Sequence, residues 1–238
     1  MLSSSHPSVP ARILIATILI ALVSAGSVLA QKSGKPHEPT KKLGRTFNEI
    51  YDQGFWATNP EGRGTSGPGS TLQVTGEYRA YLEAFIKSHG IKSVVDAGCG
   101  DWEFSSAVDW NHARYLGVDI STKVIEEVKR KYASETVKFK VGDVTESLPP
   151  ADLLICKDVL QHLPNALVKK FIRNNLKKGK YKWAIITNDR GPKNTDIPVG
   201  GYRLINLNAA PFSVRRLVDL PIHFEDRPAK TTELLDLR

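Results

Sequence analysis

Val94 to Trp102 reads Val-Val-Asp-Ala-Gly-Cys-Gly-Asp-Trp, a β-branched apolar pair that runs into an acid and two closely spaced glycines. The apolar pair is typical of a buried parallel strand, and the residues after the glycines can open a helix. In open α/β sheets, ligands bind beyond the carboxyl ends of the strands, where glycine lets the backbone approach without a Cβ clash. The stretch therefore predicts a strand end that binds a ligand.

The spacing of the glycines argues against a dinucleotide. A dinucleotide-binding fingerprint has glycine at its first and third places and glycine or alanine at its sixth. Counting from Gly98, the sixth place is Glu103. A nicotinamide-dependent oxidoreductase also requires a long helix that begins at the glycine turn, and we keep it as an alternative that this spacing disfavours.

Acids follow the next two predicted strands in a similar way. Asp119 closes the second strand, and Asp143 follows the third strand after Gly142. Together with Asp96, these acids make the segment resemble the nucleotide-binding half of the class I S-adenosylmethionine-dependent methyltransferases. The resemblance implies S-adenosyl-L-methionine as the cofactor and a small molecule as the methyl acceptor.

The alternation of strand-like and helix-like segments predicts an α/β protein with a parallel sheet. The predicted strands cover 91–96, 115–119, 137–141, 151–157 and 182–188, the predicted helices cover 70–88, 104–108, 121–133 and 166–176, and extended segments follow at 202–206, 214–218 and 233–237. The resemblance implies a Rossmann-like class I methyltransferase fold. Its sheet would have seven strands, mostly parallel, with an antiparallel hairpin at the C-terminal edge.

The resemblance also implies a donor-binding role for five residues around the strand ends. It places Asp96 near the methionine amino group, and Gly98 and Gly100 against the methionine and ribose portions. It assigns the ribose hydroxyls to Asp119, whose two carboxylate oxygens can accept both hydrogen bonds. It assigns the adenine amino group to Asp143.

Residues 62–70 read Gly-Arg-Gly-Thr-Ser-Gly-Pro-Gly-Ser. Such a stretch is either a disordered loop or a lid whose backbone N–H groups and hydroxyls close over a ligand. A group of methyltransferase-fold proteins has a segment similar to residues 66–70 ahead of the first strand, in a region that commonly covers the cosubstrate. The resemblance therefore adds Ser66 and Gly67 to the cofactor-binding candidates.

Residues 156–164 read Cys-Lys-Asp-Val-Leu-Gln-His-Leu-Pro. Methyltransferases of this class often place a similar Leu-x-His-Leu-Pro segment so that it faces the methyl group. Transfer to oxygen requires removal of a proton, so Asp158 and His162 are the catalytic candidates, and histidine titrates near neutral pH. The structural alternatives are that His162 caps the next helix and that Asp158 pairs with Lys157 or Arg173.

Trp102 and the two cysteines carry weaker signals. Trp102 departs from the family pattern, because many members have a third glycine there, and it either borders the pocket or belongs to the core. Cys99 and Cys156 are predicted to be buried thiols, with chance proximity as the alternative. No metal site is predicted, since the sequence has no Cys or His cluster at ligand spacing.

The net charge of +8 is concentrated near the N-terminus. Residues 1–45 hold six basic residues and one acidic residue, a net +5, which leaves +3 for the rest of the chain. The body is therefore close to neutral, and no nucleic-acid partner is expected. A length of 238 residues with 41% hydrophobic and 24% charged residues fits one globular domain.

The N-terminus predicts an export signal. Arg12 precedes an uncharged, mostly apolar run of 18 residues at 13–30, with small residues before a cleavage site at Gln31. We therefore expect a secreted or periplasmic protein. The alternative is an uncleaved single-pass anchor with the body in the cytoplasm, where S-adenosylmethionine is made, and only this alternative implies a membrane.

The predicted domains are a signal peptide (or anchor) at 1–30, a flexible basic linker at 31–46 and a methyltransferase domain at 47–238. The predicted function is methyl transfer from S-adenosylmethionine to an oxygen or nitrogen of a small-molecule or glycan-like acceptor. The alternative is a methyltransferase-like domain that binds its ligand without turnover.

Overall fold

The structure is a computed structural model that describes residues 38–56, 64–224, 227 and 229–238. The predicted signal or anchor at 1–30 and the first residues of the predicted linker lie outside this range. Within the described range, no helix has the length and apolar character needed to cross a membrane.

Seven strands form one mixed sheet. The strands are β1 (Ser93–Ala97), β2 (Arg114–Asp119), β3 (Val137–Val141), β4 (Leu153–Lys157), β5 (Trp183–Asp189), β6 (Leu217–Asp219) and β7 (Lys230–Asp236). They lie in the order β3-β2-β1-β4-β5-β7-β6, and the first five are parallel, whereas β7 pairs antiparallel with both β5 and β6. The predicted mostly parallel seven-stranded sheet with an antiparallel C-terminal edge is confirmed.

Within the described residues, four α-helices cover the two faces of the sheet. They are α1 (Glu38–Asp52), α2 (Gly76–Ser88), α3 (Thr122–Tyr132) and α4 (Asn165–Asn175). Buried residues of α2 and α3 pack in one hydrophobic cluster, and buried residues of α1 and α4 pack in a second cluster. Neighbouring residues of β1 supply both clusters, since Val94 belongs to the first and Val95 to the second. The central strands β1, β4 and β5 are therefore buried on both sides, whereas the edge strand β3 is mostly exposed.

Some helices begin where the sequence predicts, and others do not. Ser121 caps α3 as predicted, because its side chain accepts a hydrogen bond from the Val124 N–H. The helix predicted from Ser70 or Thr71 begins only at Gly76, after a short 3-10 turn at Pro68–Ser70. After the glycine turn of β1 the chain forms only a 3-10 turn, Phe104–Ala107, where a dinucleotide-binding fold has a long helix.

The flexible linker predicted at 31–46 is wrong from Glu38 onward, because α1 begins there. Leu43 and Phe47 lie four residues apart on one face of α1, and both are buried against the sheet. Pro39 falls in the first turn, where a helix tolerates proline. The Lys- and Pro-rich composition concealed this spacing, and the folded domain starts earlier than the sequence analysis places it.

Phe47→Ala tests whether α1 is part of the folded domain. Phe47 is 8% exposed, so its truncation should lower the free energy of unfolding by about 3–5 kcal/mol in urea denaturation. Phe55→Ala is the matched control, because Phe55 is 70% exposed, and its effect should stay within about 0.5 kcal/mol. Equal effects of the two substitutions would show that α1 does not pack on the sheet.

Candidate active site

A cleft opens at the carboxyl ends of the parallel strands, and it contains about 1280 Å³ of empty space including its mouth. Ligands bind in this position in open α/β sheets. All nine residues named as site candidates from the sequence line the cleft: Ser66, Gly67, Asp96, Gly98, Gly100, Asp119, Asp143, Asp158 and His162. The fold thus brings together residues that are up to 96 positions apart in the sequence.

The glycine turn after β1 forms the floor of the cleft. Gly98 and Gly100 have φ angles of +88° and +53°, which favour glycine. A Cβ at Gly98 would lie 2.2 Å from Cγ2 of Val159, and a Cβ at Gly100 would lie 2.4 Å from Oγ of Ser66. Neighbouring segments therefore occupy the space that side chains would need, and the backbone itself faces the cleft.

Asp119 is the last residue of β2, and two backbone groups fix its carboxylate. Oδ2 accepts a hydrogen bond from the Gly100 N–H (3.1 Å), and Oδ1 accepts one from the Ser121 N–H (2.9 Å). Burial raises the pKa of Asp119, and these N–H donors partly offset the rise. Each oxygen retains acceptor capacity, because a carboxylate oxygen can accept two hydrogen bonds.

Asp96 lies within β1 and is almost completely buried. Its Oδ2 accepts a hydrogen bond of 2.5 Å from the Tyr115 hydroxyl. Burial raises the pKa of Asp96 to about 7, and the hydrogen bond from Tyr115 only partly opposes this effect. A ligand cation beside this carboxylate would favour its ionised form, so the site is suited to an ammonium group.

Asp143 follows β3, and its neighbours already use part of its acceptor capacity. Oδ1 accepts hydrogen bonds from the backbone N–H (2.8 Å) and the hydroxyl (2.7 Å) of Thr145. The hydroxyl of Thr40 in α1 approaches Oδ2 at 3.5 Å. Asp143 therefore lies between the end of β3 and α1, and it also lines the cleft.

The described part of the Gly-rich segment, residues 64–70, packs against the glycine turn. Oδ2 of Asp101 accepts hydrogen bonds from the N–H groups of Thr65 (2.5 Å) and Ser66 (2.8 Å). The Ser66 hydroxyl oxygen in turn accepts a hydrogen bond from the Asp101 N–H (2.9 Å). Asp101 was not among the residues predicted from the sequence, although an acid directly after Gly-x-Gly was a visible signal.

A cluster of buried charges forms the opposite side of the cleft. Asp158 has a φ of +58° and pairs with Lys157 at 2.6 Å and with Lys230. Lys230 also lies 3.1 Å from Asp189, at the end of β5. Lys230 was missed because it lies on the antiparallel strand β7, and no local pattern in the sequence relates it to Asp158.

The two lysines fix Asp158 in its ionised form. Desolvation alone would raise its pKa, but the ammonium groups of Lys157 and Lys230 outweigh that effect and lower the pKa to about 2. A carboxylate with so low a pKa is a weak base near neutral pH. The geometry therefore favours the ion-pair interpretation of Asp158, with Lys157 as one of the two partners considered from the sequence.

His162 has the geometry of a proton acceptor. Its Nδ1 lies 2.8 Å from the carbonyl oxygen of Gly201. Because a carbonyl oxygen only accepts, Nδ1 carries the proton and the lone pair lies on Nε2. Burial lowers the pKa of His162, so the imidazole is neutral at neutral pH. The centre of its ring lies 5.2 Å from that of Trp56 and 6.0 Å from that of Tyr202. His162 does not cap α4, because the N-cap of that helix is Pro164.

Trp102 belongs to the core, which decides between the two alternatives. Its ring lies 5.5 Å from that of Tyr115, 4.9 Å from that of Tyr132 and 5.4 Å from that of Phe139. The two cysteines are buried free thiols, as predicted. Among the described residues, no three His, Cys, Asp or Glu side chains converge in a way that could hold a metal ion.

Residues 94–179 match the protein family described as "Methyltransferase domain". Curated relatives include the ubiquinone biosynthesis O-methyltransferase of Coxiella burnetii (strain RSA 493 / Nine Mile phase I), which is 28% identical over 99 residues, 40% of this chain. The matched region is 41% of that relative, so the chain spans about two fifths of the length of the curated relatives it matches.

Solved structures share the fold at low sequence identity. The methyltransferase domain of bacterial CtHen1 aligns with a TM-score of 0.52 and 14% identity, over 69% of this chain and 100% of that one. Magnesium protoporphyrin IX methyltransferase (ChlM) from Synechocystis PCC 6803, with bound S-adenosylhomocysteine, aligns with a TM-score of 0.51 and 16% identity. The alignment covers 82% of this chain and 97% of that one. The same enzyme was also solved with bound S-adenosylmethionine.

The topology of the sheet and the position of the cleft agree with the fold of the solved methyltransferases. Residues 94–179 of this fold match a methyltransferase domain.

Asp158→Asn tests the charge cluster. The substitution leaves two buried ammonium groups with one fewer carboxylate, so the free energy of unfolding should fall by about 3–5 kcal/mol. Lys182→Met is the control, because it breaks the 2.8 Å pair with Asp152 in which Lys182 is 56% exposed, and it should cost less than about 1 kcal/mol. Denaturation curves in which the two variants lose the same stability would contradict the buried pairing.

Proposed function

We propose that the protein transfers a methyl group from S-adenosylmethionine to a hydroxyl oxygen of a small molecule. The observation that carries this proposal is the meeting of three strand-end carboxylates, a bare glycine turn and a neutral histidine in one cleft. When bound, S-adenosylmethionine supplies a methyl group on a positively charged sulfur. The protein must hold donor and acceptor in line, exclude water and remove the proton of the hydroxyl.

The donor half of the cleft fits this nucleoside. Gly98 and Gly100 line the cleft without side chains, so their backbone can lie against the ligand. Asp96 would hold the methionine amino group, because a buried carboxylate with a pKa of about 7 gains a countercharge there. Asp119 would accept the ribose hydroxyls, and Asp143 would accept the adenine amino group. Ser66 and Gly67 would cover the ligand.

The acceptor half contains one group suited to proton transfer. The lone pair on Nε2 of His162 would take the proton of the acceptor hydroxyl while Nδ1 stays bonded to Gly201. Asp158 acts there as a fixed negative charge rather than as a base. Oxygen rather than nitrogen as the acceptor atom is supported by this base, and by the similarity to the O-methyltransferases of C. burnetii.

Asp119→Ala tests the donor site. Calorimetric titration of the wild type with S-adenosylhomocysteine should show one site, and the variant should bind about 10- to 150-fold more weakly because it loses a charged hydrogen-bond acceptor. Asp236→Ala is the control, since Asp236 is an exposed acid that pairs with Arg238, and it should bind like the wild type. No binding by the wild type, or an affinity unchanged in Asp119→Ala, would refute the proposed donor site.

His162→Gln tests the base. The turnover number should fall about 10²- to 10⁴-fold while the affinity for S-adenosylhomocysteine is unchanged, because the amide cannot accept the proton. The wild type should lose activity as the pH falls through the pKa of His162, which burial places below the ordinary histidine value, and the variant should lack this limb.

Catechol and o-phenylenediamine, assayed with radiolabelled donor, give matched hydroxyl and amine probes for the acceptor atom. Methyl transfer to the diamine alone would contradict the assignment of oxygen. Donor binding without transfer to any acceptor in a wider panel would favour a binding domain without turnover.

A further inference from the structure

Charged side chains hold both ends of segment 64–70. At its start, the Asp101 carboxylate accepts the N–H groups of Thr65 and Ser66. At its end, Nζ of Lys157 donates a hydrogen bond of 2.7 Å to the carbonyl oxygen of Gly69. Asp101 belongs to the glycine turn and Lys157 to the end of β4, so the segment spans the mouth of the cleft between its donor and acceptor halves.

The protein uses most of the acceptor capacity of the Asp101 carboxylate. Oδ2 receives the two N–H groups of the segment, and Oδ1 receives the Glu103 N–H at 3.2 Å. Asp101 lines the cleft, but three backbone donors already bind its two oxygens. This is the arrangement of a residue that positions other residues.

Ser66 also accepts a hydrogen bond from Asp101, which fixes the position of the segment relative to the glycine turn. Its hydroxyl oxygen accepts the Asp101 N–H at 2.9 Å, and the same hydroxyl lies 3.1 Å from the Tyr51 hydroxyl in α1. Because a Cβ at Gly100 would lie 2.4 Å from this oxygen, the segment can occupy this position only against a glycine. Three elements therefore meet at one hydroxyl.

Lys157 connects the other end of the segment to the charge cluster. Its Nζ is buried, pairs with Asp158 at 2.6 Å and lies 5.2 Å from the centre of the Phe104 ring. A Cβ at Gly69 would lie 3.1 Å from Oδ2 of Asp158, so the end of the segment lies close to that carboxylate. The segment is thus fixed without any contribution from a ligand.

We infer that Asp101 is a positioning residue that seats segment 64–70 as a ready-made wall of the donor site. The inference rests on the proposed function, because it takes the ligand to be the donor nucleoside. Without Asp101 the segment must be ordered when the donor binds, and binding then becomes weaker although no contact with the donor has been removed.

The experiment measures S-adenosylhomocysteine binding by calorimetry, and thermal unfolding without ligand, for four variants. Asp101→Ala should weaken binding about 10- to 100-fold, because it removes two hydrogen bonds to the segment. Asp101→Asn should recover most of the affinity, since its amide oxygen still accepts both N–H groups. Ser66→Ala should weaken binding, and the double variant Ser66→Ala/Asp101→Ala should bind no more weakly than Asp101→Ala alone.

The control and the unfolding data separate positioning from a general structural role. The unfolding temperature of ligand-free Asp101→Ala should stay within about 2–4 °C of the wild type, because the substitution removes hydrogen bonds to one short segment and leaves the hydrophobic core unchanged. The exposed variant Asp236→Asn should bind normally. In steady-state assays, Asp101→Ala should raise the KM for the donor. Its turnover number at saturating donor should stay at the wild-type value.

Two results would overturn the inference while leaving the proposed function intact. One is normal binding by Asp101→Ala when the wild type binds. The other is a parallel loss of affinity and unfolding temperature that Asp101→Asn does not rescue and that adds to the effect of Ser66→Ala. A wild type that does not bind S-adenosylhomocysteine at all would refute the proposed function itself, and the inference with it.

Discussion

The close approach of other segments to the bare backbone at Gly98 and Gly100 is the constraint on which the site depends. Val159, from the loop after β4, fills the space beside Gly98, and Ser66 fills the space beside Gly100. The turn therefore contacts the loop after β4 at one glycine and segment 64–70 at the other. A side chain at either position would separate parts that must meet for an in-line methyl transfer.

Charge divides the cleft into two unlike halves. Burial raises the pKa of Asp96 and of Asp119, and the charge of Asp119 adds to the rise at Asp96. Across the cleft, Asp158 has two lysines as partners and stays ionised. Under the proposed function, a cationic donor would gain most beside Asp96, whose pKa is raised by burial, and this asymmetry would orient the donor in the cleft.

The sequence predicts the strand-end acids well, because parallel strands place their carboxyl ends along one edge of the sheet. Asp96, Asp119 and Asp143 each follow or close an apolar strand, so their meeting required only the correct topology. Lys230 could not be found in this way, since it reaches Asp158 only through the antiparallel insertion of β7 beside β5. Helix α1 was missed for a different reason. Its Lys- and Pro-rich composition predicted a flexible linker, although Leu43 and Phe47 have helical spacing.

The most direct test is a crystal structure of the complex with S-adenosylhomocysteine. The account predicts both ribose hydroxyls within hydrogen-bonding distance of Asp119, the amino group of the ligand beside Asp96, and segment 64–70 in its present position over the nucleoside. A nucleoside bound elsewhere in the cleft, with Asp96 and Asp119 making no contact with it, would contradict the account.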